Sequence, residues 1–139
     1  MAQTRNSKQR SLIMSLLNGN YDHPTADEIY ELARAKDPKI SRGTVYRNLG
    51  LLSELGEIRK LPMPGNPDHF DFKLEHHYHF LCRRCGKVFD TPLPYDEGLN
   101  STPEAMPGFQ TEWHRLLLVG LCPDCAKAEK VQAEKDAGV

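Results

Sequence analysis

The four cysteines constrain this chain more than any other feature. All of them fall in two Cys-x-x-Cys pairs, Cys82/Cys85 and Cys122/Cys125, with none left over. Such a pair turns two thiolates toward one point, and two pairs complete a closed, tetrahedral four-sulfur zinc site. The first pair reads Cys82-Arg-Arg-Cys85-Gly86, with a glycine where the tight turn behind the second ligand needs one. The 36 residues between Cys85 and Cys122 mean that a zinc ion would tie a sheet segment to a C-terminal helix. A redox dithiol and inert buried thiols are the other uses of the same residues. Disulfides belong to an oxidising compartment. The polar start, MAQTRNSKQR, has no signal-peptide core, and no window approaches a membrane span of about 20 apolar residues, so a cytoplasmic protein is expected.

A chain of 139 residues that is 39% hydrophobic has core material for one ordinary domain or two very small ones. The first sixty residues read as three helices. Leu12, Ile13, Leu16 and Leu17 form a helix-period stripe closed by Asn18-Gly19. Thr25 and Glu28 fit a capping box opening a second helix with Ile29, Tyr30, Leu32 and Ala33, and Pro38 breaks it. Ser41 caps a third helix whose buried stripe is Val45, Leu49 and Leu52, ended by Leu55-Gly56. Extended runs over 57–61 and 69–73 flank a Pro/Gly-rich tip over 62–67 with a Gly-Asn turn. Three helices and a two-strand ribbon make a winged helix-turn-helix. A boundary falls near 73–76. Beyond it the chain is strand-like over 78–82, 87–91 and 109–121, with one helical turn near 95–99, a helix over 124–136 and a frayed tail over 131–139.

Residues 1–60 hold ten Lys/Arg against seven Asp/Glu, and residues 61–139 hold eight against twelve. A basic front half suits an anionic partner. The third helix carries Arg42, Thr44, Tyr46, Arg47 and Asn48 on the faces that Val45 and Leu49 leave open. Arginine contacts phosphate or guanine, and Tyr and Thr reach phosphate or a thymine methyl. Any solvated helix could carry such residues; the ribbon behind this one favours double-stranded DNA.

Three of the six histidines stand in His76-His77-Tyr78-His79. On a strand, His77 and His79 share one face and His76 and Tyr78 the other. Asp71 and Asp90 lie on neighbouring extended runs. A histidine–carboxylate set without sulfur suits iron(II) or manganese(II) better than a closed thiolate site does, although a solvated polar strand could hold the same residues. His23, by itself, reads as a loop residue.

Taken together, these segments resemble the ferric uptake regulator family of bacterial metal-responsive repressors, from about Gln9 to Lys130. The matching stretches are His23-Pro-Thr-Ala-Asp-Glu-Ile-Tyr, Thr44-Val-Tyr-Arg-Asn-Leu, His69-Phe-Asp71, His77-Tyr-His-Phe-Leu-Cys82 with Cys85-Gly-Lys, and Cys122-x-x-Cys125. The resemblance implies an α+β chain with an N-terminal winged helix-turn-helix DNA-binding domain over 1–74. A small C-terminal α/β dimerisation domain over 75–139 follows, with the four-cysteine zinc site. It also implies a regulatory iron or manganese site of His23, Asp71, His77, His79 and Asp90, with His23 a ligand supplied by the DNA-binding domain. An additional site of iron-uptake regulators maps onto His76, Tyr78, Glu97 and His114, where Tyr78 replaces a usual carboxylate. Roles for His69 and His114 stay open.

Iron-uptake regulators usually carry Glu at the positions of Asp71 and Asp90, whereas peroxide-responsive repressors usually carry Asp at both. The resemblance therefore implies a homodimer that binds a palindromic operator with metal bound, represses oxidative-stress genes, and lets go when peroxide oxidises His23 or His77. No enzyme activity and no small-molecule substrate beyond metal and peroxide are expected. Iron- or zinc-uptake regulation and a zinc-ribbon module that does not bind DNA are the alternatives. A zinc deaminase needs His-x-Glu and Pro-Cys-x-x-Cys; here Leu121 precedes the second pair, and no His-x-Glu occurs.

Overall fold

The computed structural model describes residues 5–18 and 22–138, and the chain divides into two compact units, Met1–Glu75 and His76–Val139. The first unit contains α1 (Arg5–Leu17), α2 (Ala26–Lys36), α3 (Arg42–Glu54), β1 (Arg59–Met63) and β2 (Asn66–Asp71). Its core gathers Ile13 and Leu17 of α1, Ile29 and Ala33 of α2, and Val45, Leu49 and Leu52 of α3. Ile40, Ile58 and Phe70 complete it. The expected stripes therefore face one another, and burying each such side chain contributes about 1.5–3 kcal/mol. Leu32 of α2, in contrast, is exposed.

Helix boundaries follow from caps. The Thr25 side chain accepts from the Glu28 N–H while the Glu28 carboxylate accepts from the Thr25 backbone, a complete capping box. Ser41 accepts from the Thr44 N–H at 3.1 Å and opens α3. Gly56, at φ +73°, takes the left-handed turn behind α3. The stop expected at Gly19 lies outside the described residues.

The ribbon differs from expectation in register. Its strands run through Pro62 and Pro67, and the tight turn is Pro64-Gly65 rather than Gly-Asn. In a two-strand ribbon both strands are edges, so a proline costs no ladder bond when its ring nitrogen faces outward. Gly65, at φ +69°, supplies the conformation the turn requires. The Phe70 N–H donates to Pro24 O at 2.9 Å and Thr25 bridges His69, so β2 is stitched to the segment before α2.

The second unit contains β3 (His79–Cys82), β4 (Val88–Asp90), a 3-10 turn (Glu97–Asn100), β5 (Leu117–Gly120) and α4 (Pro123–Ala137). The sheet order is β4-β3-β5, with β4 antiparallel and β5 parallel to β3. Two expectations are corrected here. The strand expected over 109–121 forms only as β5, because β3 is four residues long and pairs four residues of it. The tail expected to fray from 131 is helical to Ala137, as a run of Ala, Lys, Glu and Gln favours. No helix among the described residues is long and apolar enough to cross a membrane.

Candidate metal centres and nucleic-acid interface

Cys82 ends β3, the turn behind it carries Cys85, Cys122 is the N-cap of α4 and Cys125 lies in its first turn. The four sulfurs lie within 4.8 Å of one another, and Cys85 Sγ is 3.9 Å from Cys122 Sγ. A tetrahedron of about 2.3 Å Zn–S bonds has edges of about 3.8 Å, so the donor set fits zinc. Gly86, at φ +76°, donates its N–H to Cys82 O at 2.9 Å and closes the knuckle turn, as the sequence suggests. Arg83 donates to both carboxylate oxygens of Glu129 at 3.3 and 3.1 Å, and Arg84 donates to Cys125 O at 3.2 Å, bracing the knuckle against α4. Burial pushes the Cys82 thiol up, but N–H donors from Cys85, Cys122 and Arg84 outweigh it and hold it at about 6. Hydrogen bonding to Cys122, and then burial, push Cys125 up to about 12.

In the second unit the register places His79 opposite Asp90 across β3–β4. Asp90 Oδ1 is 2.8 Å from His77 Nε2 and 3.5 Å from His79 Nε2, and the two imidazoles lie 4.4 Å apart between centroids. The segment entering β3 thus brings both histidines and one carboxylate to a single point, with no sulfur among them. In the first unit, His23 Nε2 lies 3.5 Å from Asp71 Oδ2, and both side chains are 2% exposed. His23 stands at φ +53°, a left-handed conformation that costs a residue other than glycine about 1–3 kcal/mol. Its carbonyl accepts from His69 Nδ1 at 2.5 Å, which gives His69 a role in holding the loop.

The opposite face of the β3 entry is different. Asp96 N–H donates to Tyr78 Oη at 3.0 Å, and Tyr78 Oη lies 2.7 Å from His114 Nε2. His114 Nδ1 meets Asn100 Oδ1 at 2.6 Å, and Asn100 donates to Tyr95 Oη at 3.1 Å. Tyr95 stacks between His76 and His114. Both ring nitrogens of His114 are spent on these bonds, and Glu97 is exposed on its turn. Among the described residues, His76, Glu97 and His114 are not gathered into a cluster of ligand atoms.

On α3, Arg42, Tyr46 and Arg47 are exposed and Thr44 is half-buried. Asn48 is a correction: it is 6% exposed, and its amide donates to Thr44 O at 2.9 Å. Four residues beyond Thr44, it falls on the same inward side as Val45 and Leu49. Asp27 of α2 was not legible as a functional residue. Its Oδ1 accepts from Tyr46 Oη at 2.6 Å and from Arg42 Nη1, and the Arg42 guanidinium lies 4.7 Å from the centroid of the Tyr30 ring. The Asp27 bond, and then burial, push the Tyr46 phenol above its ordinary value.

The model of the ferric uptake regulator family matches residues 1–119. The chain belongs to the ferric uptake regulator family. It is 36% identical over 121 residues to the peroxide-responsive repressor PerR of Staphylococcus saprophyticus, covering 87% of this chain and 82% of that protein. The ferric uptake regulator Fur of Helicobacter pylori, described as having three functional metal binding sites, superposes with a TM-score of 0.76. That match is 28% identical and covers 88% of this chain and 82% of that one. The Campylobacter jejuni peroxide stress regulator superposes with a TM-score of 0.68 at 27% identity, covering 87% and 91%. The family membership expected from the motifs is thereby established. Family motifs led to His23, which spacing alone left as a loop residue.

Proposed function

We propose that this member of the ferric uptake regulator family is a metal-dependent transcriptional repressor that senses hydrogen peroxide by oxidation of a ligand histidine. The observation that carries the reading is the sulfur-free set in which Asp90 Oδ1 reaches both His77 and His79. Nitrogen and carboxylate oxygen suit iron(II) or manganese(II). Aspartate at 71 and 90 goes with the peroxide-responsive branch, and the similarity to a peroxide-responsive repressor supports the same branch. The four cysteines hold a structural zinc ion. His23 and Asp71 from the DNA-binding domain, over 1–74, join His77, His79 and Asp90 from the dimerisation domain, over 75–139, as ligands of the regulatory ion.

An iron(II) ion held by these residues would catalyse the reaction of hydrogen peroxide with the adjacent imidazoles. His23 or His77 would lose two electrons and gain one oxygen atom, the other peroxide oxygen leaving as water, and an oxidised imidazole is a poorer donor. Losing that ligand uncouples the two domains, because metal favours the DNA-binding arrangement only as far as its affinity differs between arrangements. The exposed Phe109, Trp113 and Val119 support a homodimer, which matches a palindromic operator. Arg42, Thr44, Tyr46 and Arg47 of α3 face double-stranded DNA. The protein acts in the cytoplasm and turns over no substrate.

Fluorescence anisotropy on the metal-loaded protein, with duplexes it selects from a random pool, tests the reading. Binding should need iron(II) or manganese(II), and peroxide should abolish it in the iron form alone. Metal-dependent binding indifferent to peroxide would assign iron(II) sensing. An absence of duplex binding would leave a zinc-ribbon module.

A further inference from the structure

We propose that Asp27 is a specificity-determining positioning residue: it takes Arg42 out of the pool of phosphate-binding cations and fixes Tyr46 by its hydroxyl. The inference rests on the reading of α3 as the DNA-contacting helix. Asp27 sits in the first turn of α2, where the helix dipole favours a carboxylate. From there its Oδ1 spans to two residues one turn apart on α3, accepting from Arg42 Nη1 and from Tyr46 Oη at 2.6 Å. The Tyr30 face holds the same guanidinium from α2, with its centroid 4.7 Å away. All three members of the Asp27–Arg42–Tyr46 set are exposed, so the cluster lies on the surface and builds no core.

Two consequences follow from the chemistry. Non-specific affinity for duplex DNA grows with the number of phosphates a protein neutralises. A carboxylate seated on Arg42 occupies the place a phosphate oxygen would take, so this face docks on arbitrary sequence with one cation fewer. The Tyr46 hydroxyl donates its hydrogen bond to Asp27 and cannot donate it to a phosphate at the same time. What it offers DNA is its ring, which meets apolar groups such as a thymine methyl. Asp27 thus lowers affinity for every sequence through Arg42 while orienting a side chain that discriminates between bases.

The test uses the metal-loaded, full-length protein, a random-sequence duplex and a duplex selected by the wild type from a random pool. Asp27→Ala leaves the Thr25–Glu28 capping box in place, and circular dichroism checks the fold. Freeing Arg42 should tighten binding to the random duplex about fivefold at 0.15 M salt and steepen the log–log salt slope by about 0.9. Affinity for the selected duplex should not rise, so discrimination falls. Arg42→Ala together with Asp27→Ala should return random-duplex affinity to the wild-type value. Tyr46→Phe, which removes the hydroxyl that Asp27 holds, should lower discrimination as Asp27→Ala does, and Tyr46→Ala should lose it altogether. Asp27→Asn removes the charge with the smallest change in shape and should reproduce the steeper slope if the alanine variant does not fold. Unchanged slope and affinity in both Asp27 variants, with wild-type binding intact, would overturn the role of Asp27 alone. Wild-type protein that binds no duplex would overturn the reading of α3 and this inference with it.

Discussion

In the second unit, Oδ1 of Asp90 lies 2.8 Å from Nε2 of His77, an arrangement set by the backbone pairing of β4 with β3. The pairing fixes the Asp90 Cα opposite His79, so one methylene decides where its carboxylate reaches. Asp90→Glu should keep metal-dependent DNA binding while slowing peroxide inactivation at least tenfold. Rates of operator release after a peroxide pulse measure this. Oxidation as fast as in the wild type would contradict the role given to Asp90.

Removing one zinc ligand should destabilise the second unit. Cys82 is fully buried at the end of β3, and structural zinc supplies roughly 10–16 kcal/mol of binding free energy in small zinc modules. Cys82→Ser should lower zinc content from one ion per chain toward none and lower the melting temperature of the second unit. Elemental analysis and calorimetry follow both. A variant that melts like the wild type without zinc would contradict a structural role.

The two shifted thiols give a proton count and a pH dependence. With Cys82 held at about 6, its thiolate is already formed at pH 7.5, whereas Cys125, at about 12, still carries its proton. Zinc uptake by the metal-free protein at pH 7.5 should therefore release fewer than four protons per ion, measured by calorimetry in buffers of different ionisation enthalpy. The lowered Cys82 value stabilises the metal-free fold fully above the ordinary thiol value near 9 and is lost as pH falls through about 6. Cys125 acts oppositely: its contribution is present below that ordinary value and lost as pH rises through about 12. Release of four protons would contradict these assignments.

Much of this was legible in the sequence because the signals are local. Thr25–Glu28, Ser41 and Gly56 are caps readable within four residues, and Val45, Leu49 and Leu52 follow the helix period into the core. The shared face of His77 and His79 followed from strand alternation. What escaped depends on distant neighbours. The run over 109–121 resembles a strand throughout, yet within one chain its hydrogen-bonding partner is no longer than β3. The bridge from Asp27 to Arg42 and Tyr46 spans 15 and 19 residues and leaves no periodic trace. Asn48 is polar by composition but inward by geometry.

The exposed aromatics of that run test the assembly. Trp113 is 57% and Phe109 63% exposed in the single chain. Trp113→Glu should weaken self-association at least tenfold, about 1.4 kcal/mol or more, as sedimentation equilibrium measures. An unchanged dimer would place the interface elsewhere.

The most direct test of peroxide sensing is intact-mass spectrometry with peptide mapping on the iron(II)-loaded protein after a low dose of peroxide. The expected result is the mass of one added oxygen atom on His23 or His77, with zinc still held by Cys82, Cys85, Cys122 and Cys125. Unmodified histidines, with iron verified at the regulatory site, would contradict it.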